Sequence, residues 1–332
     1  MNKNIIFIVK MPIVILRNIA FHILNRCFRF ILNWKSFLLY SFALKVSKSS
    51  RHEIQSYLSH LRSYGYAIIP EYFANRQDFE IVCKKFSAML ENNETTREAK
   101  NIFDHENKER VVCPIDSIPE ITSLVFDNFL CEIICRYKKM IPGFQISLYK
   151  TFPSDKPQGS SSFHQDQFGD FSIFIALEDI NEFNGATQFV PKSHQKPLKF
   201  WEIYFLSMVR KFFLRFSTMP IPPKSMFYSS EFVDKVYTKN SWIQTNAKKG
   251  SIILIDVSGI HRGPHWPADV NFSDRKSRSV LHIAAREKVL IGSGVIANRV
   301  SDNQRLLSSP DHVWSRSVID MTNYMQSHNK KL

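Results

Sequence analysis

From Tyr149 onward the sequence is written in short apolar runs, Phe171 to Leu177, Thr187 to Val190, Ser251 to Val257 and Ser279 to Ala284. Turn-rich stretches such as Asn184-Gly185 and Pro191-Lys192-Ser193 separate them. Runs of this length and spacing read as strands. Short strands must bury one face against a second sheet, so a β-sandwich or barrel is expected. Upstream, the turn at Tyr64-Gly65-Tyr66 leads into Ala67-Ile68-Ile69, ended by Pro70, which reads as another strand. Asp78 to Asn92 reads as a helix with Phe79, Val82, Cys83, Phe86 and Leu90 on one side, and Ile121 to Met140 as a second helical stretch. Strand alternation resumes at Gln145-Ile146-Ser147-Leu148-Tyr149. The chain of 332 residues, 44% hydrophobic, can supply one large core or two small ones.

The net charge of +14 is unevenly placed. No acidic residue precedes Glu53, while Lys3, Lys10, Arg17, Arg26, Arg29, Lys35, Lys45, Lys48 and Arg51 are basic. At the helical period Lys3, Lys10, Arg17 and Arg29 fall opposite Ile5, Val9, Leu16, Ile23, Phe30 and Trp34. Residues 1–50 are therefore expected as a basic amphipathic segment lying in an anionic membrane interface. A helix packed on the domain, or a spanning segment, is the competing reading, although the basic residues interrupt any clean apolar span. Residues 51–332 form the second region, with a basic and aromatic insertion at about 196–245 that includes Lys199-Phe200-Trp201 and Phe212 to Phe216. The expected location is cytoplasmic and peripheral to a membrane. Nucleic acid, which a basic chain always raises, is not the expected partner. Five cysteines without zinc-finger spacing read as reduced thiols, with Cys131 and Cys135 as small core residues.

His164-Gln165-Asp166 carries the chemistry. In an extended segment His164 and Asp166 project to one side and can grip one ion, with His261 as a distant third ligand. Two histidines and a carboxylate on one face of an iron leave the other face open, the arrangement of non-haem Fe(II) oxygenases. By itself His-x-Asp is a common tripeptide. Its surroundings are less common: Leu177-Glu178-Asp179-Ile180-Asn181, Asn184-Gly185-Ala186-Thr187, Val190-Pro191-Lys192-Ser193-His194, Gly250 to Leu254, His261-Arg262-Gly263, and Asn271 to Arg275 leading to Arg278 through His282.

This succession, from about Tyr64 to Ala285, resembles the phytanoyl-CoA dioxygenase family of Fe(II)- and 2-oxoglutarate-dependent oxygenases. The resemblance implies a mainly β protein with flanking helices and a double-stranded β-helix, or jelly-roll, core. It implies His164, Asp166 and His261 as iron ligands, 2-oxoglutarate and O2 as co-substrates, and release of succinate and CO2. Ascorbate enters as an accessory reductant. Arg278 is the expected anchor for the distal carboxylate of 2-oxoglutarate, because a guanidinium pairs with a carboxylate and Arg278 opens a strand through Val280 and His282. Arg275 competes, since the interval after His261 is longer than usual in the family. Tyr149 and Phe174 occupy positions that line the co-substrate pocket in relatives. His265 and His282 are pocket candidates without a role, and His194 reads as a turn histidine. Gly185 and Gly263 read as turn glycines.

Relatives that halogenate replace the carboxylate with a small residue. Asp166 therefore points to hydroxylation of a small-molecule or lipid-linked substrate. The alternative is a membrane-associated, non-catalytic binding module on the same fold.

Overall fold

The structure, a computed structural model, describes residues 52–92, 110–113, 118–125, 127–139, 142–153, 162–166, 171–195, 226–228, 233–234, 237, 242–267, 269–286, 289–291 and 295–297, together with residue 38. Apart from that one position, the amphipathic segment lies outside the described residues, as does the basic stretch from Lys199 to Phe216. No helix among the described residues is long and apolar enough to cross a membrane.

The chain divides into two units. The smaller comprises 1–49, 138–143 and 287–332, and its described strands Val289–Ile291 and Val295–Ala297 pair antiparallel. The larger comprises 50–137 and 144–286. It opens with helix α1 (His52–Tyr64), which buries Ile54, Leu58 and Leu61 at helical spacing and stops at Gly65, where φ is +85°. Strand β1 (Tyr66–Ile69) follows, then helix α2 (Gln77–Glu91), which buries Phe79, Val82, Phe86 and Met89. Met89 takes the inward place expected of Leu90, which is half-buried.

The helical stretch after residue 120 is broken. It forms α3 (Ile121–Val125) and α4 (Asn128–Lys138), with Asp127 at the break. Asp127 Oδ1 accepts from the backbone N–H groups of Phe129 at 3.0 Å and Leu130 at 3.1 Å, the bonding of a helix N-cap. The same carboxylate takes the Tyr72 hydroxyl at 3.0 Å and Arg76 Nη1 at 2.7 Å. Arg76 also grips Asp78 at the front of α2, so one guanidinium ties two helix starts together.

The remaining strands of the larger unit are β2 (Arg110–Cys113), β3 (Gly143–Thr151), β4 (Phe163–Gln165), β5 (Phe171–Ala176), β6 (Gln188–Phe189), β7 (Met226–Tyr228), β8 (Ile243–Gln244), β9 (Ile252–Ile255), β10 (His261–Arg262) and β11 (Arg278–Arg286). They build a six-stranded sheet ordered β1-β9-β5-β11-β3-β2 and a five-stranded sheet ordered β7-β4-β10-β6-β8. Every pairing with a stated register is antiparallel. The mainly β architecture expected from the short runs is therefore present as two antiparallel sheets with helices.

Register separates the faces of the larger sheet. Phe174 pairs with both Ile253 and His282, which puts these three side chains on one face with Ala176, Val280 and Ile255. That inner face packs with Phe189, Ile180, Ala186 and Val257 in a single apolar cluster. The outer face carries Phe171, Ile173, Leu254, Leu281 and Ile283, all buried, and Tyr137 of α4 sits against Phe171 with ring centroids 5.1 Å apart. Full burial of each such side chain contributes about 1.5–3 kcal/mol. Arg278, His282 and Tyr149 face inward, so the inner face is part polar.

Candidate metal centre

Strands β4 and β10 lie side by side with His261 directly opposite His164. Their imidazole centroids are 4.3 Å apart. Asp166 follows β4 immediately, its backbone N–H donating to Val257 O at 2.9 Å. Its carboxylate stands between the rings, Oδ1 3.9 Å from His164 Nε2 and Oδ2 3.7 Å from His261 Nε2. One donor atom from each of the three residues lies within 4.8 Å of the others. His164 and His261, 97 positions apart in sequence, thus converge because the small sheet aligns two short strands.

The protonation pattern follows from the backbone. His164 Nδ1 lies 2.8 Å from Ser162 O, and His261 Nδ1 lies 3.0 Å from Gly259 O. A carbonyl only accepts, so each Nδ1 carries a proton and Nε2 is the nitrogen turned toward Asp166. This is the orientation a histidine adopts when Nε2 binds a metal and its other nitrogen is held by a carbonyl. Two neutral imidazoles and one carboxylate fit a divalent ion of the first transition row. Burial, and then repulsion from His261, hold His164 down to about 4, so it is neutral at physiological pH despite the pull of Asp166. At His261 burial also works to lower the pKa, but Asp166, the Gly259 carbonyl and Asp256 together carry it above the ordinary value. Asp166 is 48% exposed while the His164 and His261 side chains are 13% and 9% exposed, which leaves the centre open on the carboxylate side.

Beside the centre, the inner face of the larger sheet presents a group of polar and aromatic side chains. Phe174 stacks on His282 with centroids 4.6 Å apart, and Tyr149 meets the same imidazole edge-on at 6.2 Å. Ser172 Oγ lies 3.2 Å from His282 Nε2. Arg278 is 3% exposed on this face, with Nη1 donating to Gly185 O at 2.9 Å and Thr187 Oγ1 at 3.0 Å. Arg275 is placed differently, in a surface turn. Its Nε donates to Val270 O at 3.2 Å and its guanidinium covers the exposed Phe272 ring. His265 is held down to about 4 by burial and by the charges of Arg262 and Arg275.

Two further residues shape the site. Ser193 is fully buried, with Oγ donating to Val190 O at 2.6 Å and accepting from Ile260 N–H at 2.7 Å, one residue before His261. The Pro191-Lys192-Ser193-His194 turn was legible in sequence, but it is its serine, not its histidine, that is tied to the residue before His261. His194 bonds Arg62 O through Nε2 at 3.1 Å and packs where a Cβ on Gly65 would collide. Gly185 has φ of +73°, as a turn glycine should. Gly263 is needed for a different reason: a Cβ there would lie 2.7 Å from Thr187 Oγ1.

The sequence profile of the family described as phytanoyl-CoA dioxygenase (PhyH) matches residues 61–265. No curated protein matches the chain. Among solved structures, the epimerase SnoN in complex with Fe3+, alpha ketoglutarate and nogalamycin RO is 10% identical, with 75% of this chain and 93% of that chain covered and a TM-score of 0.47. EctD from S. alaskensis with 2-oxoglutarate and 5-hydroxyectoine is 12% identical, with 76% and 82% covered and a TM-score of 0.48. The non-heme alpha ketoglutarate dependent carbocyclase SnoK is 15% identical, with 75% and 89% covered and a TM-score of 0.46.

Proposed function

The chain belongs to the phytanoyl-CoA dioxygenase family, and on that premise we propose that it is an Fe(II)- and 2-oxoglutarate-dependent oxygenase that hydroxylates a small molecule. The observation that carries this reading is the convergence of two imidazole Nε2 atoms and one carboxylate, each imidazole fixed through Nδ1 by a backbone carbonyl. Its fold reading is a double-stranded β-helix, supported by two antiparallel sheets sharing one apolar interior.

His164, Asp166 and His261 would hold the iron on one side. Iron so held, with 2-oxoglutarate and O2, supplies an oxidation coupled to decarboxylation of the oxo acid to succinate and CO2. Arg278 would bind the distal carboxylate of 2-oxoglutarate. Its support is burial on the inner face and a position at the head of β11, whereas Arg275 is engaged in a surface turn. Arg278 lies beyond the matched residues, so this assignment rests on geometry alone. Tyr149 and Phe174 would line the co-substrate, holding it among side chains that exclude water. Retention of Asp166 favours hydroxylation, because the carboxylate occupies the place a halide would need. The basic segment 1–50 would bring the domain to an anionic surface and a lipid-linked substrate, a role that rests on sequence pattern. Unchanged liposome binding after deletion of residues 1–45 would remove it.

The experiment is conversion of 2-oxoglutarate to succinate by the full chain with Fe(II) and O2, without primary substrate. Slow turnover that disappears in His164→Ala is expected; turnover of equal rate in the variant sinks the proposal.

A further inference from the structure

The loop between β9 and β10 holds two of the three ligand residues, Asp166 and His261, and the intervening Gln165 with three consecutive carbonyls. Val257 O accepts from Asp166 N–H at 2.9 Å, Ser258 O from Gln165 Nε2 at 2.6 Å, and Gly259 O from His261 Nδ1 at 3.0 Å. Gln165 sits between the two β4 ligands, so the loop reads the strand at one point and the opposing histidine at another. The direction of those carbonyls depends on the peptide planes of residues 257–259, and one side chain fixes them. Asp256 Oδ1 accepts from Ser258 N–H at 3.0 Å and Ser258 Oγ at 2.6 Å. Its Oδ2 accepts from the Tyr137 hydroxyl of α4 at 2.6 Å. Bonds to an ionised acceptor are about twice as strong as neutral ones. Burial, and then the nearby Asp256 charge, push the Tyr137 phenol far above its ordinary range, so it stays a donor.

We propose that Asp256 and Tyr137 are positioning residues for the metal centre, forming a strut from α4 through the β9–β10 loop that aims Asp166 and His261. This rests on the metal-binding reading above. Removing an outer partner that orients metal ligands typically costs 10- to 100-fold in affinity. A merely structural pair would lower stability and leave the affinity of the folded protein unchanged.

The test uses the full chain and Co(II) alone, with affinity from calorimetry and ligand geometry from the visible absorption bands. Asp256→Asn keeps the shape but loses an anionic acceptor. It should weaken Co(II) binding about 10- to 100-fold and move the bands. Tyr137→Phe removes one hydroxyl and should cost about fivefold, the worth of one such bond. The double variant should be no weaker than Asp256→Asn, because Tyr137 acts through Asp256. Asp78→Asn, remote from the loop, controls for lost stability and should bind Co(II) as the unaltered chain does. Should Asp256→Asn not fold, Tyr137→Phe decides alone. Affinity within about twofold of the unaltered chain, with unmoved bands, in every folded strut variant overturns the strut and leaves the metal centre standing. No Co(II) binding by the unaltered chain overturns both.

Discussion

Ser193→Ala tests whether the turn behind β10 holds the centre together. The hydroxyl joins Val190 O to Ile260 N–H, at 2.6 Å and 2.7 Å, at a residue with no exposure. Alanine adopts the same backbone and adds no bulk, so the change isolates two hydrogen bonds. Val190 O keeps the Ser193 N–H at 3.2 Å, but the Ile260 N–H loses its bond to the hydroxyl. A buried donor left unmade costs about 1–3 kcal/mol. The packing beside the hydroxyl is tight: a Cβ added at Gly259 would lie 2.9 Å from Ser193 Oγ and 2.6 Å from the Phe189 ring. The expected loss is about 2 kcal/mol, which for a unit of this size lowers Tm by about 4–8 °C. Urea unfolding monitored by fluorescence should show a lower midpoint with an unchanged slope. Co(II) affinity should also fall, since Ile260 carries the backbone into His261. A variant within about 0.5 kcal/mol of the unaltered chain would refute the reasoning, because surface-like behaviour at this site means the hydroxyl is not a strut.

Arg278→Lys keeps the charge but not the paired geometry, and should raise the KM for 2-oxoglutarate at least tenfold, about 1.4 kcal/mol, while Arg275→Lys leaves it unchanged; the reverse pattern in steady-state succinate formation would exchange their roles. Asp78 is held down to about 2, chiefly by its hydrogen bond from Arg76, against an ordinary value of 3.8. A depressed carboxylate stabilises the fold above its unfolded pKa and loses that contribution as pH falls through the folded one. Asp78→Asn should therefore remove about 1 kcal/mol at neutral pH, after screening at a partly exposed site, and flatten the stability curve between about pH 4 and 2. Equal acid sensitivity in both proteins counts against it. Burial pushes the Cys83 thiol up to about 11 and Cys135 up to about 12, and Cys131 well above its ordinary value. In the folded protein at pH 7.5, a pH well below all three, mass spectrometry after iodoacetamide should find them unmodified, and rapid labelling of Cys131 or Cys135 would contradict their burial.

The strands that were legible in sequence are those long enough to show an apolar run or a period. β5 and β9 stand out as apolar runs because both faces of their sheet are buried, while alternation along β11 puts Arg278 and His282 on one face. The strands β6, β8 and β10 have two residues each and can show no period, although β10 carries a ligand. There the His-x-Asp motif and the ordered family segments substituted for periodicity. The break at Asp127 was hidden because its strength comes from Tyr72 and Arg76, more than fifty positions upstream. Helix α1 was missed although Ile54, Leu58 and Leu61 stand at helical spacing, because polar residues surround a narrow apolar stripe. The loop that frames the ligands had no signature at all: it works through backbone carbonyls, to which residue identity is nearly irrelevant. Only Asp256 and Ser258 betray it, and only once Tyr137 is seen beside them.

The central claim is that three side chains form an iron site that serves 2-oxoglutarate chemistry. Anaerobic titration of the full chain with Fe(II), followed by 2-oxoglutarate, measures this most directly through the visible charge-transfer absorption of the oxo acid bound to iron. The band should rise to one equivalent of each, should vanish in His261→Ala, and should need far more 2-oxoglutarate in Arg278→Ala. A chain that develops no band, or a band of equal strength without His261, would contradict the account.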